Sequence, residues 1–175
     1  MDNDLTKRQK MVASGSYFER KVASLIATNV ECKILINIRF YSGSIHRGSE
    51  CDLLVITPVK IYCIECKNYK GFISGERFAP VWSFVSSRKL GHVKNPYLYN
   101  QSHIRLIRGT FYKNGLNPLD IENVIVVPDS CKIHVADCGV VNLSTLVDRI
   151  VFECENLKPI YNVKVLEDYF NKVKF

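Results

Sequence analysis

The fold is decided by residues 50–67, which read Glu-Cys-Asp-Leu-Leu-Val-Ile-Thr-Pro-Val-Lys-Ile-Tyr-Cys-Ile-Glu-Cys-Lys. Two apolar segments rich in β-branched residues, 51–57 and 60–67, flank Pro58 and Val59, which predicts two antiparallel strands joined in a hairpin. A turn at this point places three pairs of residues opposite one another: Thr57 with Lys60, Val55 with Tyr62, and Asp52 with Glu65.

Charged residues lie at the open end of this predicted hairpin. Buried strands rarely carry charges, because burial of an unpaired charge is costly. Yet Asp52 begins the first strand, and Glu65 and Lys67 end the second. Directly opposed residues have Cβ atoms about 4.5–5.5 Å apart on one face. We therefore predict that Asp52 and Glu65 are neighbouring carboxylates, with Lys67 on the same face.

Carboxylates at this spacing indicate a cation site. They repel each other unless a cation or a proton lies between them. Oxygen ligands with open positions suit Mg²⁺, or Mn²⁺, which can also hold a water and a phosphate oxygen. Lys67 would orient or help deprotonate the water, or neutralise charge that develops on the phosphate. The alternative is a salt-bridge cluster at a strand end, or solvent exposure of the same side chains.

The rest of the chain predicts a single domain of class α/β (α+β), with a central mixed sheet flanked by helices. Apolar positions at three- and four-residue spacing, such as Phe18, Val22 and Ile26, predict a helix over 14–29 after a flexible arm at 1–13. The other predicted elements are a strand at 33–41, a short hairpin at 71–83, a loop at 91–96, a helix at 97–112, strands at 123–127 and 131–135, a helix at 143–152 capped by Asn142, and a helix at 163–173.

Composition excludes several classes of protein. The chain has 175 residues, of which 47% are hydrophobic and 23% charged, as in soluble globular domains. No apolar run is long enough for a membrane helix, and the N-terminus has no signal-peptide core, so we expect a cytoplasmic protein with no membrane partner. The seven cysteines favour buried thiols. A zinc site built from Cys63, Cys66, Cys131 and Cys138 is the weaker alternative.

Positive charge is concentrated in the middle of the chain. Residues 60–113 carry ten Lys and Arg against two Asp and Glu, within a total net charge of +7. Such a segment favours a polyanionic partner, although a solvated basic face would look the same. We expect DNA contacts from five of these residues: Lys70, Arg77, Arg88, Lys89 and Lys94. Trp82 is more typical of a core residue than of a base-stacking platform. For His92 and His103 a surface or packing role is favoured, and a place near the site is the alternative.

Five motifs in chain order resemble the NERD (nuclease-related domain) family of the PD-(D/E)xK nuclease superfamily, over about residues 14–127. The first is Gly15-Ser-Tyr-Phe-Glu19-Arg-Lys-Val22. The next two are Cys51-Asp52-Leu-Leu-Val-Ile56 and Tyr62-Cys-Ile-Glu65-Cys-Lys67-Asn-Tyr69-Lys-Gly71. Trp82 follows, and then Asn95-Pro96 with Gln101.

The resemblance implies a restriction-endonuclease-like core that cleaves DNA with Mg²⁺. It implies that Asp52 and Glu65 ligate the metal together with the carbonyl of Cys66, and that Lys67 is the catalytic lysine. Glu19 would be an accessory acid and Gln101 a positioning polar group. Residues 14–127 would form the nuclease core, and 128–175, where no motif is recognised, an extension packed on the same domain. The thiols at positions 51 and 66 would make activity sensitive to oxidation or soft metals.

Other functions stay open at this point. The chain could be a non-catalytic nucleic-acid-binding module that retains a nuclease fold, although an intact Asp52, Glu65 and Lys67 set argues against it. It could be a branched-DNA (Holliday junction) resolvase, which would act as a homodimer. An enzyme acting on RNA fits the charge equally well. A partner protein in DNA processing or defence is compatible with each of these functions.

Overall fold

The computed structural model describes residues 2–40, 49–86, 89–113, 119–135 and 138–172. Within these ranges the chain forms a mixed α/β fold of four helices and two mixed sheets. The helices are α1 (Asp2–Asn29), α2 (Pro96–Lys113), α3 (Leu143–Asn156) and α4 (Val163–Lys172). The strands are β1 (Lys33–Phe40), β2 (Ser49–Ile56), β3 (Ile61–Cys66), β4 (Phe72–Gly75), β5 (Val81–Ser86), β6 (Lys89–Lys94), β7 (Ile121–Val127), β8 (Lys132–Val135) and β9 (Val140–Asn142).

The larger sheet has the strand order β1-β2-β3-β7-β9. Two of the predicted hairpin pairs are confirmed, because Val55 pairs with Tyr62 and the backbone N–H of Thr57 donates to the carbonyl of Lys60 at 3.0 Å. The ladder ends at Leu53 and Ile64, so the third predicted pair, Asp52 with Glu65, stays a prediction. Strand β3 lies at the centre, antiparallel to β2 and parallel to β7, and all six of its residues are buried. A strand covered on both faces is normally apolar throughout. Glu65 is the charged exception.

Helices cover both faces of this sheet. Val22 of α1 and Ile150 of α3 meet Val126 in the core on one face. Ile107 of α2 and Phe170 of α4 belong to the core on the opposite face. Successive residues of β3 point alternately into these two cores, so Glu65 faces the side covered by α2.

An ion-pair network joins α3 to the hairpin at the end of the sheet remote from Asp52. The ammonium of Lys60 lies 3.1 Å from Glu122 and 3.0 Å from Glu153, and Arg149 lies 2.9 Å from Glu122. The hydroxyl of Tyr62 also donates to Glu153. These contacts fix the C-terminal part of the chain to β3 and β7.

The smaller sheet has the order β6-β5-β4-β8, and two of its aromatic rings lie over glycines on neighbouring strands. A Cβ at Gly75 would lie 2.2 Å from the ring of Trp82, and a Cβ at Gly91 would lie 2.3 Å from that of Phe84. Trp82 is 1% exposed, which confirms it as a core residue. The predicted loop at 91–96 was wrong: most of it belongs to β6, where an aromatic ring fills the space above Gly91.

Three other boundaries differ from the sequence prediction. Helix α1 begins at Asp2, so residues 2–13, predicted as an arm, continue the helix. Strand β9 was not predicted. Asn142 precedes α3 as expected, but its side chain donates to the carbonyls of Pro128 and Cys131 and makes no capping hydrogen bond. Asp129 instead accepts the backbone N–H of Ser144, at 2.8 Å.

None of the seven cysteines forms a disulfide. Cys63 and Cys66 point into opposite cores, and Cys131 lies in a third core with Cys138. The zinc quartet considered from the sequence is therefore not assembled. None of the helices in the described part of the chain is both long and apolar enough to cross a membrane.

Candidate active site

Regular pairing of β2 is interrupted at Asp52. The ladder with β3 ends at the pair Leu53 and Ile64, and a carboxylate oxygen of Asp52 accepts the backbone N–H of Cys66 at 2.7 Å. The ladder with β1 skips the same position, where Asn37 has a left-handed φ of 55°. Non-glycine residues rarely adopt this conformation, and such positions are concentrated at functional sites. Asp52 is thus held in place by the hydrogen bond of its carboxylate to Cys66, and its backbone pairs regularly with neither β1 nor β3.

Glu65 is buried beside Asp52 with only part of its charge compensated. One of its carboxylate oxygens forms an ion pair with Lys67, two residues along the chain. The other oxygen has no hydrogen-bond partner among the described residues and lies 4.0 Å from Nδ1 of His103. Burial, together with the charges of Asp52 and Glu19, raises the pKa of Glu65 to about 7 against the opposing effect of Lys67.

Lys67 is the cation of this cluster. Burial by itself would lower its pKa, but the ion pair with Glu65 and the charge of Asp52 outweigh burial, and the pKa is raised. Its ammonium is therefore protonated at neutral pH. Burial also raises the pKa of Asp52, against the effects of the Cys66 N–H and of Lys67.

A cavity of about 820 Å³ opens beside Asp52 and Lys67, and Glu65 lies behind its lining rather than in it. Its floor includes Asp52, Cys66 and Lys67, and one wall comes from α1. Glu19 belongs to that wall, and its pKa is raised by burial and by Asp52. The other residues that line the cavity are Ser14, Gly15, Asn68, Tyr69, Lys70, Phe84, Ser86 and Val93.

The two walls are fixed by local contacts. The side-chain amide of Asn68 donates to the carbonyl and the hydroxyl of Ser14, at 3.0 and 2.9 Å, which ties the end of β3 to α1. Opposite, the ring of Tyr69 stacks on Phe84 of β5 with centroids 5.6 Å apart and planes inclined by 7°. The cavity therefore has a floor that carries both charges, a helical wall and an aromatic wall.

The donor set fits a hard divalent cation. Three carboxylates with raised pKa values, Glu19, Asp52 and Glu65, surround one ammonium. The buried oxygen of Glu65 without a hydrogen-bond partner is a costly arrangement for a carboxylate. Oxygen donors of this kind are the ligands that Mg²⁺ and Mn²⁺ prefer. Cys66, whose carbonyl the resemblance assigns to the metal, lines the same cavity.

Two of the residues predicted from the sequence lie outside this cluster. Gln101 accepts a hydrogen bond from Asn123 at 3.3 Å and does not line the cavity, so its positioning role stays a prediction. The guanidinium of Arg77 donates to the hydroxyl of Tyr97 at 2.6 Å and lies over the ring of Phe78. This packing does not test the predicted DNA contact.

The remaining predicted basic residues differ in position. Lys70 lines the cavity. Lys94 lines a second cavity of about 260 Å³, which shares Lys67 and Tyr69 with the first. Lys89 is exposed and pairs with Ser86 at the rim. Arg88 lies outside the described residues.

Several residues shape the site although the sequence does not assign them to it. His103, for which a packing role is favoured and a place near the site is the alternative, is fully buried beside Glu65. Asn100 is also buried, and its amide donates to the carbonyl of Cys63 at 2.7 Å. The available signal was helical spacing, because Asn100, His103 and Ile104 share the buried face of α2. His92 is exposed, as expected.

Comparison with known proteins gives one family and one relative. A family model described as "Nuclease-related domain" (NERD) matches residues 14–128. An uncharacterised protein of Bacillus anthracis is 34% identical over 59 residues, which cover 34% of this chain and 28% of that protein. The match thus spans little more than a quarter of the relative. No solved structure matches this chain at a significant level.

Proposed function

Since this chain belongs to the nuclease-related domain (NERD) family, we propose that it is a metal-dependent nuclease that hydrolyses phosphodiester bonds in DNA. Family membership supports a nuclease-related function and nucleic acid as the partner. The metal and the reaction rest on the cluster of charged residues. The choice of DNA rests on the family resemblance, because the basic middle of the chain fits RNA equally well.

One observation carries the proposal. Glu65 is 1% exposed, one of its oxygens pairs with Lys67, and the other has no hydrogen-bond partner among the described residues. A merely structural carboxylate would have both oxygens satisfied. An unsatisfied oxygen on a buried carboxylate that also feels the charge of Asp52 is instead the arrangement expected of a metal ligand.

Asp52, Glu65 and the carbonyl of Cys66 would hold Mg²⁺ or Mn²⁺. The bound ion would supply a water of lowered pKa and Lewis acidity toward a phosphate oxygen. Lys67 would act as a cation rather than as a base, because its raised pKa keeps the ammonium protonated. Placed beside Glu65, it would stabilise the negative charge that builds up on the phosphate during attack. Glu19 would orient water from the helical wall of the cavity.

The walls of the cavity suit a nucleic acid. Tyr69 and Phe84 present stacked rings on one side, and aromatic side chains of this kind bind unpaired bases. Lys70 and Lys94 are exposed at the two adjoining cavities, where they would contact phosphates. Gln101 would act through Asn123 as a positioning residue, and Arg77, Arg88 and Lys89 would extend the contacts along the backbone.

Cleavage of a labelled panel tests this function. The substrates are single-stranded DNA, duplex, flap, four-way junction and an RNA of equal length, each with Mg²⁺, Mn²⁺ or EDTA. Wild type is compared with Lys67→Ala and with Lys158→Ala, which removes an exposed lysine beyond the opposite end of the hairpin. We expect metal-dependent cleavage by wild type and Lys158→Ala and none by Lys67→Ala.

The same panel separates the alternatives. Preference for the four-way junction would identify a resolvase, and preference for RNA would change the substrate class. Binding without cleavage under every metal condition would overturn the proposed hydrolysis and favour a non-catalytic binding module. Cleavage by Lys67→Ala at the wild-type rate would contradict the role given to Lys67.

A further inference from the structure

A second group of metal-ligating side chains lies behind the carboxylates, on the side of the sheet that α2 covers. One ligand atom from each of Cys51, Cys63 and His103 lies within 4.8 Å of the other two. All three residues are 0% exposed, and the two sulfur atoms are 3.3 Å apart. Two thiols and an imidazole form a donor set for a soft or borderline cation rather than for Mg²⁺.

These side chains already converge on one polar atom. The thiol of Cys63 donates to Oδ1 of Asn100 at 3.0 Å, and Nδ1 of His103 lies 3.3 Å from the same oxygen. Asn100 is itself fixed, because its amide nitrogen donates to the Cys63 carbonyl and to Asn123, at 2.7 and 2.8 Å. The backbone and α2 therefore hold the thiol and the imidazole in place without a metal.

A fourth donor is within reach. The second oxygen of Glu65, which has no hydrogen-bond partner among the described residues, lies 4.0 Å from Nδ1 of His103. In a tetrahedral zinc site the metal–ligand distances of about 2.0–2.3 Å put neighbouring ligand atoms about 3.3–3.8 Å apart. The ligand atoms of Cys51, Cys63 and His103, which lie within 4.8 Å of one another, and the Glu65 oxygen 4.0 Å from the imidazole differ from that spacing by about 1 Å.

We propose that Cys51, Cys63 and His103, with Glu65 as the fourth ligand, bind one d¹⁰ cation such as Zn²⁺ or Cd²⁺. Binding replaces two S–H bonds by two metal–sulfur bonds and releases two protons to solvent. The imidazole and the carboxylate coordinate through lone pairs, and no oxidant or reductant takes part. The site is distinct from the magnesium site but shares Glu65 with it.

Because both sites use Glu65, a cation at the thiol site should affect the proposed magnesium site. A cation held by the thiols draws the Glu65 carboxylate toward α2 and away from Lys67. This effect on hydrolysis rests on the proposed nuclease function, whereas binding itself does not. The soft cation should therefore act as an inhibitor that excess Mg²⁺ does not displace, because Mg²⁺ binds thiolates poorly.

Cadmium titration of the full chain tests the site, with the sulfur-to-metal charge-transfer absorption as the readout. Excess Mg²⁺ is present throughout, so that the carboxylates alone cannot produce the signal. We expect saturation at one equivalent in wild type and in Cys131→Ser, a control that changes another buried thiol. Cys51→Ser and Cys63→Ser should lose the absorption while retaining the far-ultraviolet circular dichroism of wild type.

X-ray absorption on the wild-type cadmium complex keeps the proposal testable if a serine variant fails to fold. Two sulfur neighbours are expected at the metal, and a shell of oxygen and nitrogen alone would overturn the site. A charge-transfer absorption in Cys51→Ser as strong as that of wild type would overturn the proposed site as well. If wild type cleaves DNA, Cd²⁺ should slow cleavage by wild type more than it slows cleavage by Cys63→Ser. If wild type cleaves nothing, the proposed function fails and the spectroscopic result still decides the metal site.

Discussion

Lys67 and Glu65 form an ion pair across two positions at the end of β3, where Glu65 is buried and Lys67 reaches the cavity. The pair leaves one carboxylate oxygen of Glu65 without a hydrogen bond among the described residues. Lys67 therefore offsets a charge cluster to which Asp52 and Glu19 also contribute. Ionisation of all of these carboxylates as the pH rises should therefore lower the stability of the metal-free protein.

Replacement of Lys67 by methionine should destabilise the metal-free protein at pH 8. Loss of the ammonium leaves the buried Glu65 carboxylate uncompensated, and removal of one partner of a buried ion pair costs about 3 kcal/mol. At pH 5.5 the effect should be smaller, because Glu65, with a pKa of about 7, is then protonated. Urea unfolding with EDTA at both pH values measures the difference.

Lys33→Met is the matched control, because Lys33 pairs with Glu167 on the surface at 2.6 Å. An exposed pair contributes about 1 kcal/mol at most. Equal losses in the two variants at pH 8 would show that the Glu65 pair is not a buried one.

The Glu65→Gln variant should be more stable than wild type at pH 8 when metal is absent. The native carboxyl has a pKa of about 7 against 4.5 in the unfolded chain, so between these values the native state binds more protons. Stability then falls as pH rises, by about 3 kcal/mol over this window. The glutamine does not titrate and is not subject to this loss.

Thermal unfolding of wild type and Glu65→Gln in EDTA, at pH 4.5 and pH 8, tests the sign. The two proteins should unfold at similar temperatures at pH 4.5, and the variant should unfold at the higher temperature at pH 8. Saturating Mg²⁺ should reverse the order at pH 8, because only the carboxylate binds the ion. A wild type that is the more stable at pH 8 in EDTA would refute the assigned pKa.

Gly71→Ala should destabilise the fold by about 3 kcal/mol. Gly71 has a φ of 108°, and a Cβ there would lie 2.2 Å from the carbonyl oxygen of Val85. Both the backbone conformation and the contact are unfavourable for an L-residue. Gly109→Ala is the control, since a Cβ at this site in α2 meets nothing within 4 Å. Alanine should stabilise the helix there by about 0.5–1 kcal/mol. Urea unfolding measures the free energy of both variants. An unchanged stability of Gly71→Ala would contradict the left-handed backbone conformation assigned to Gly71.

Lys70→Ala and Lys94→Ala should each weaken DNA binding and its salt dependence. Loss of one phosphate contact reduces the slope of log K against log salt by about 0.7–0.9. Fluorescence anisotropy in EDTA, over a series of salt concentrations, gives both quantities without cleavage. Lys158→Ala removes the same charge far from the cavity and should leave the slope unchanged. Equal slopes in all four proteins would exclude a phosphate path along these lysines.

The hairpin was predictable because its register is set locally. Once the turn is at Pro58 and Val59, every pair follows by counting, and a slip of one residue would reverse both faces. Asp52, Glu65 and Lys67 are thus assigned to one end of the sheet by sequence alone. Helices α1 and α2 were predictable for the same reason, since their apolar spacing repeats within a few residues.

Contacts between distant segments were not predictable. His103 lies beside Glu65 only because α2 crosses the sheet, and Phe84 meets Tyr69 only because β5 pairs with β4. No local pattern encodes either contact. Strand β6 was missed because Gly91 lies at its centre, and glycine within a polar, exposed segment is typical of a loop. Its pairing depends on the ring of Phe84, which is invisible in the local sequence.

The family match ends at residue 128, but the packing does not. Val140 in β9 pairs with Ile125 of β7, Leu146 and Ile150 complete the core beneath α1, and Phe170 packs near Phe111. A polypeptide cut after residue 128 would expose β7 as an edge strand and uncover both apolar faces. The segment that the family model matches is therefore shorter than the segment that packs as one fold. Transplanting residues 14–128 alone into another protein would require the host to supply the missing cover.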